Sequence, residues 1–344
     1  MKYSKLRFVA PLLCMATSGI AQYTAQILPT STGQGWALGA GGNQIVGTDF
    51  AGSLLWTGPD YDYVHLGADG FDSWGLEGVG GGKQIGTGRL NDRSHALMWS
   101  GSTGSLVDLH PNGYLSTFGR ATDGISQVGD RAVLQGGNIS HALLWRDTPE
   151  SVVDLHPDGY QSSIAYGVWG DTQVGMVDNQ PVVWSGTAES MVLLPLPKGA
   201  LGGAQAIHAD EIVGSSSGTA LRWDANTLEM ASLGPGIAVD TNGKQQVGSG
   251  QAHAVVWSGT AESRLDLGQF LPGVFIESRA TGIDENGTIV GWGIDSEFAF
   301  RPLVWTPVPE PGSLTAFAIG LTVVGLLRHR WGRAECLLHR ISRF

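Results

Sequence analysis

An all-β chain wound into a seven-bladed β-propeller is the fold this 344-residue sequence predicts, and three observations predict it. A tryptophan closing a short apolar segment recurs at positions 56, 99, 145, 184, 223, 257 and 305. A glycine preceded by Val or Ile stands before each, at 47, 86, 129, 175, 214, 248 and 291, with steps of 39, 43, 46, 39, 34 and 43 residues that match one four-stranded blade. The composition agrees: 52 Gly, 12 Trp and only 15% charged residues describe many short segments joined by turns, not long charged helices.

The chain opens with Lys2, Lys5 and Arg7, an apolar stretch over residues 8–16, and small residues up to Ala21. This layout predicts a secretory signal peptide over residues 1–21, cut by signal peptidase between Ala21 and Gln22. Leu13 before Cys14 excludes a lipoprotein site. Cys14 and Cys336 are the two cysteines and both lie in terminal segments, so the body at 22–307 has no disulfide framework.

Within the body the distance from a repeat tryptophan to the next repeat glycine is 30 residues four times running, which implies fixed strands and turns. The glycine-to-tryptophan distance varies as 9, 13, 16, 9, 9, 9 and 14, so insertions gather in one connection, at 87–94, 130–140 and 292–300. Repeat proteins place such insertions on one face, often the binding face. One blade reads as an innermost strand at 120–125, then 127–133, 141–146 and an outer strand at 152–156, separated by Gly, Asp and Asn turns. The repeated tryptophan is expected to fill the core between blades. The seventh repeat ends at Trp305 without an outer strand. Residues 26–29 resemble 154–157, with Leu28 lying 19 residues before Gly47 and Leu155 lying 20 before Gly175. The N-terminal strand is therefore predicted to complete the last blade and close the ring.

After the body, Pro309-Glu310-Pro311 leads into an uncharged apolar run at 314–327 and then Arg328, Arg330 and Arg333. The run predicts an apolar helix that anchors the chain in the membrane before processing, with flanking arginines and Trp331 at the interface. This order resembles the PEP-CTERM sorting signal over 308–333. The resemblance implies an exosortase as partner, processing near Pro309, Glu310 and Pro311, transient anchoring in the inner membrane, and final location at the cell surface or outside it. Residues 334–344 extend past the usual end of such tails. In the body, His-Ala-Leu-Leu-Trp at 141–145, His-Ala-Val-Val-Trp at 253–257 and the segment 280–291 resemble the bacterial extracellular HAF repeat family, which implies an exported repeat protein and assigns no catalytic residue.

Charge and motifs narrow the function classes. Residues 22–311 carry 12 basic and 30 acidic side chains, a net of −18 that repels phosphate backbones and argues against nucleic-acid binding. Asp108-Leu109-His110-Pro111 recurs as Asp154-Leu155-His156-Pro157, and His95, His141 and His253 each precede a tryptophan strand. Their types suit acid–base or metal chemistry, but two side-by-side copies read better as turn caps. No nucleophile elbow, helical His-Glu-x-x-His or phosphate loop is present, so neither catalytic residue, metal nor cofactor is predicted.

A binding site, if built, belongs on the face of the variable loops, where second-to-third and fourth-to-first connections emerge together. Asn91, Asp92, Tyr114, Asn138, Tyr160 and Asp295 are its candidate residues, with extracellular polysaccharide as a candidate partner. The leading expectation is a non-enzymatic surface or extracellular-matrix protein. The alternatives are a polysaccharide lyase or glycosidase with acidic pairs in the central funnel, a glycan-binding lectin, and a protein scaffold.

Overall fold

Each repeat glycine pairs across its sheet with the innermost strand, and a Cβ at any of the seven would collide with the carbonyl opposite, that of Trp36 for Gly47 and of Phe118 for Gly129. Just past that pair, every innermost strand carries a one-residue β-bulge. The periodic glycine is thus the backbone requirement of a periodic bulge.

The computed structural model describes residues 22–133 and 139–309. Residues Tyr23–Thr306 form one compact unit of seven four-stranded antiparallel sheets. The innermost strands are Gly35–Gly41, Ser73–Gly80, Ser116–Thr122, Ser163–Trp169, Gly202–His208, Ile237–Thr241 and Phe275–Ile283, numbered here as blades one to seven. In the third blade the innermost strand is Ser116–Thr122, not 120–125 as the sequence suggested. It opens on polar Ser116 and Thr117 and carries Gly119 after Phe118, which hides it. Residues 123–126 instead make the turn, with Asp123 Oδ1 accepting from the Ile125 and Ser126 amides at 2.9 and 2.8 Å and Gly124 at φ +95°.

All seven repeat tryptophans are at most 1% exposed and sit between blades. Four donate their indole N–H backwards to the exit of the preceding blade: Trp56 to Pro29 O (2.7 Å), Trp99 to Gly67 O (2.8 Å), Trp223 to Pro195 O (2.9 Å) and Trp305 to Leu267 O (3.0 Å). Beside each exit lies a buried leucine, at 28, 66, 109, 155, 194, 233 and 267. The apolar Leu–Trp pair therefore recurs at every junction and the hydrogen bond at four of the seven, while the indole N–H groups of Trp145, Trp184 and Trp257 are buried without a partner among the described residues.

Blades two, three, four and six share a third-to-fourth connection. Buried Gln84, Gln127, Gln173 and Gln246 accept from the amides of Gly101, Asp147, Gly186 and Gly259, each at 2.8 Å. A single 3-10 turn follows, at Thr103–Ser105, Pro149–Ser151, Ala188–Ser190 and Ala261–Ser263. This common turn accounts for the constant spacing after Trp99, Trp145 and Trp184. The last blade runs Phe275–Ile283, Ile289–Asp295, Phe300–Pro307 and, outermost, Tyr23–Ile27 from the start of the ring. Leu28 N–H donates to Pro302 O at 2.9 Å, as Leu155 N–H does to Ala142 O at 2.8 Å.

Among the described residues no helix is long and apolar enough to cross a membrane. The predicted signal peptide, ending at Ala21, and Glu310, Pro311, the apolar run 314–327 and the 334–344 extension lie outside the described residues.

Candidate functional site

The insertions of blades two and seven are built as longer hairpin arms. In blade two, Lys83–Leu90 and Arg93–Trp99 pair along their whole length, and Asn91 and Asp92 form the tip with φ of 50° and 63°. Asp92 is held by Arg89 at 2.8 Å. Asn91 and Tyr114 line one cleft with Arg93, His95, His110 and Asn112. Tyr114 is fixed from the next blade, where the Arg131 guanidinium lies 4.9 Å from its ring centre. Tyr160 packs partly buried one blade further on. Asp295 in blade seven caps its own hairpin, accepting from the Glu297 and Ala299 amides and from Arg301 Nε at 2.7 Å. Those backbone bonds, led by Ala299, with Arg301 hold its carboxyl below the usual range. Asn138 lies outside the described residues. The structure thus brings Asn91 and Tyr114 together and leaves Tyr160 and Asp295 on other blades.

Beneath the cleft the histidine motifs converge within each blade. His95 Nδ1 lies 2.8 Å from Asp108 Oδ2, and its ring stacks on His110 at 3.9 Å and 16°. Asp108 Oδ1 accepts the His110 amide at 2.9 Å, which is the predicted turn cap. The next blade repeats this with His141, Asp154 and His156, stacked at 3.6 Å and 10°. Burial, with the neighbouring imidazole second, holds His110 and His141 below the usual histidine range.

The alanine after each histidine explains the rest of the motif. Ala96, Ala142 and Ala254 donate their amides to Thr117, Ser163 and Ser278 on the following blade at 2.9, 2.9 and 3.0 Å. The His-Ala-x-x-Trp segment is an interblade lock. Thr117→Val keeps the shape and leaves the buried Ala96 amide unpaired, so urea denaturation should show a loss of about 1–3 kcal/mol. A loss under about 0.5 kcal/mol would remove the lock from the account.

Sequence reasoning named a central funnel but none of its residues; the structure shows it as a cavity of about 360 Å³ lined from all seven blades. Its wall carries the seven bulged residues, Leu38, Glu77, Arg120, Tyr166, Gln205, Val239 and Thr281. Arg120 binds buried Asp130 through Nε at 3.0 Å and lies 5.8 Å from the Tyr166 ring centre. Burial raises Glu77, against the opposing pull of Arg120. Towards the end where first and second strands join, Trp169 and His208 stand with ring centres 3.9 Å apart at 38°, and burial holds His208 below the usual histidine range.

Just past the bulge, six blades have Gly39, Gly78, Ala121, Gly167, Ala206 and Gly282 where neighbouring inner strands nearly touch. The sixth blade has Asp240. Its carboxylate accepts the Thr241 and Ile283 amides at 2.8 and 2.9 Å. Burial pushes its pKa up to about 7 against the lowering pull of those bonds, and Glu285 adds to the rise. Among the described residues no group of three or more His, Cys, Asp or Glu is placed to hold a metal ion.

The chain is therefore an all-β, seven-bladed repeat propeller. No protein-family model matches it, and no curated protein does. Solved structures similar to it include an extracellular domain from B. thetaiotaomicron, 8% identical with a TM-score of 0.49, covering 83% of this chain and 40% of that one. A prolyl endopeptidase is 12% identical with a TM-score of 0.48, covering 84% and 51%. TolB from Acinetobacter baumannii is 12% identical with a TM-score of 0.37, covering 80% and 55%. This chain spans about half or less of each, and the likeness concerns the fold alone.

Proposed function

We propose that this protein is exported and acts at the cell surface or in the extracellular matrix as a non-enzymatic repeat propeller, sorted by an exosortase. The observation that carries the reading is a coincidence of boundaries. The ring's first strand starts at Tyr23, one residue after the Gln22 that follows the signal-like segment, and its last ends at Pro307, two residues before Pro309 of the sorting motif. Gln22 and Pro309 themselves lie outside the ring's compact unit. A folded body bracketed by two address sequences is what an exported and processed protein requires. The thiol-free segment 22–311 and its net charge of −18 suit an oxidising, aqueous exterior.

Intact-mass analysis of the protein secreted by a host that encodes an exosortase tests this. The expected product begins at Gln22 and lacks the apolar run, and replacing Pro309, Glu310 and Pro311 with alanine leaves the chain in the membrane fraction. A secreted product that retains residues 1–21 or 314–327 removes the sorting route. Release of reducing sugar ends from polysaccharide by the secreted protein removes the non-enzymatic part.

A further inference from the structure

We propose that the mouth of the central channel is a binding site for a sugar residue that bears a free amine. The inference rests on the reading of the chain as an exported protein of the cell surface or extracellular matrix, and it names a ligand class for it.

Shape comes first. The cavity of about 360 Å³ falls in the range of small-ligand sites and is enclosed by all seven blades. Gly41, Gly80 and Gly81 line it on the side of blades one and two, where their lack of side chains lets the inner strands pack backbone to backbone and keeps that part of the rim narrow in side-chain bulk.

The next element is a flat apolar surface. Trp169 is 39% exposed although its six-residue neighbourhood is ordinary strand and turn, and His208 braces it at 3.9 Å. An indole held in place while one part of it stays open offers a rigid platform to the C–H face of a pyranose, at little entropic cost.

Charge then selects among sugars. Among the described residues the lining includes Glu77, Asp123, Asp240 and Glu285, and its one Lys or Arg, Arg120, is already bound to Asp130 behind the wall at 3.0 Å. Asp123 is committed to its turn and to the Gly170 amide at 2.8 Å. Glu285 accepts one hydrogen bond, from Gly42 N–H to Oε2 at 3.3 Å, and so keeps an oxygen for a ligand. The field at this mouth is negative, and a carboxylate oxygen left unpartnered favours an ammonium group through a charge-assisted hydrogen bond. An acetylated amine supplies no charge there, and a uronate or sulfated sugar is repelled.

Calorimetric titration of the secreted protein with a glucosamine tetramer, an N-acetylglucosamine tetramer and a galacturonate tetramer separates these cases. The expected result is binding of the first alone. Trp169→Ala and Glu285→Gln should each weaken it by at least about tenfold with the melting temperature unchanged, while Tyr114→Ala on the opposite face leaves it intact. Glu285 is exposed, so its variant keeps the test valid should Trp169→Ala alter folding. Equal binding of the acetylated tetramer, wild-type affinity in both channel variants, loss of binding in Tyr114→Ala alone, or no binding by correctly processed protein would each overturn the channel site. None of these outcomes touches the export reading, which the mass of the secreted product decides separately.

Discussion

Deleting residues 22–30 should lower the melting temperature by roughly 10–20 °C, the largest effect expected of any change outside the tryptophan core. The segment contributes the outer strand Tyr23–Ile27 of the last blade together with Leu28 and Tyr23, which are 2% and 5% exposed. Burying two such side chains stabilises by about 5 kcal/mol. Its loss would also take the Pro29 carbonyl from Trp56 Nε1, the Leu28 amide from Pro302 and the Tyr23 hydroxyl from Gln245. The third strand, Phe300–Pro307, would become an open edge. Calorimetry on the deletion and on Leu28→Ala checks this, with the point variant expected to lose about 2–5 kcal/mol. If both melt within about 2 °C of the parent, the ring is held shut by blade packing alone and the strand is an ornament to it.

The architecture could be read from sequence because the same physical demand falls on every blade. A bulge needs glycine opposite it, and an interblade core needs one large flat side chain, so glycine and tryptophan repeat and can be counted. The terminal strand was legible for the same reason, since Leu28 and Leu155 fill equivalent seats. The channel was not legible residue by residue. Its lining positions are filled by Leu38, Glu77, Arg120, Tyr166, Gln205, Val239 and Thr281, seven different residues with no shared chemistry, because a channel wall imposes no common packing partner. The usable signal was one step further on, in the run of Gly and Ala at the next position.

The loop face shows the opposite error. Variable spacing correctly marked where blades differ, but it does not distinguish a loop from a longer hairpin. The arms of blade two pair as far as Leu90 and Arg93, which spreads Asn91 and Asp92 to a tip away from Tyr160 and Asp295. The Asp–His motifs were read as turn caps, and Asp108 and Asp154 do cap the His110 and His156 amides. What spacing alone could not give was the stacking of each histidine on its partner from the third strand, which depends on strand register.

The break in the small-residue ring leads to the second large effect, a fall in stability with rising pH that Asp240→Asn removes in part. Asp240 titrates at about 7 in the folded protein and near its ordinary 3.8 when unfolded, with burial as the leading cause. The folded state therefore holds this proton more tightly. The associated stability is fully present below about pH 4 and is lost as pH rises through 7. At 1.36 kcal/mol per unit, and discounting for the side of Asp240 that stays open to the channel, the loss amounts to about 2–4 kcal/mol. Glu77 and Asp130, both raised by burial, add in the same direction, so the variant's curve flattens without becoming level. Asparagine preserves an acceptor for the Ile283 amide and never ionises. Denaturant melts should thus show Asp240→Asn close to the parent at pH 4.5 and more stable by about 2–4 kcal/mol at pH 8. Parallel curves for the two proteins would mean that Asp240 is solvated like a surface carboxylate. The inner strands of blades six and seven would then not be close enough to exclude water, and the sixth blade's departure from Gly and Ala would be a tolerated substitution with no electrostatic consequence.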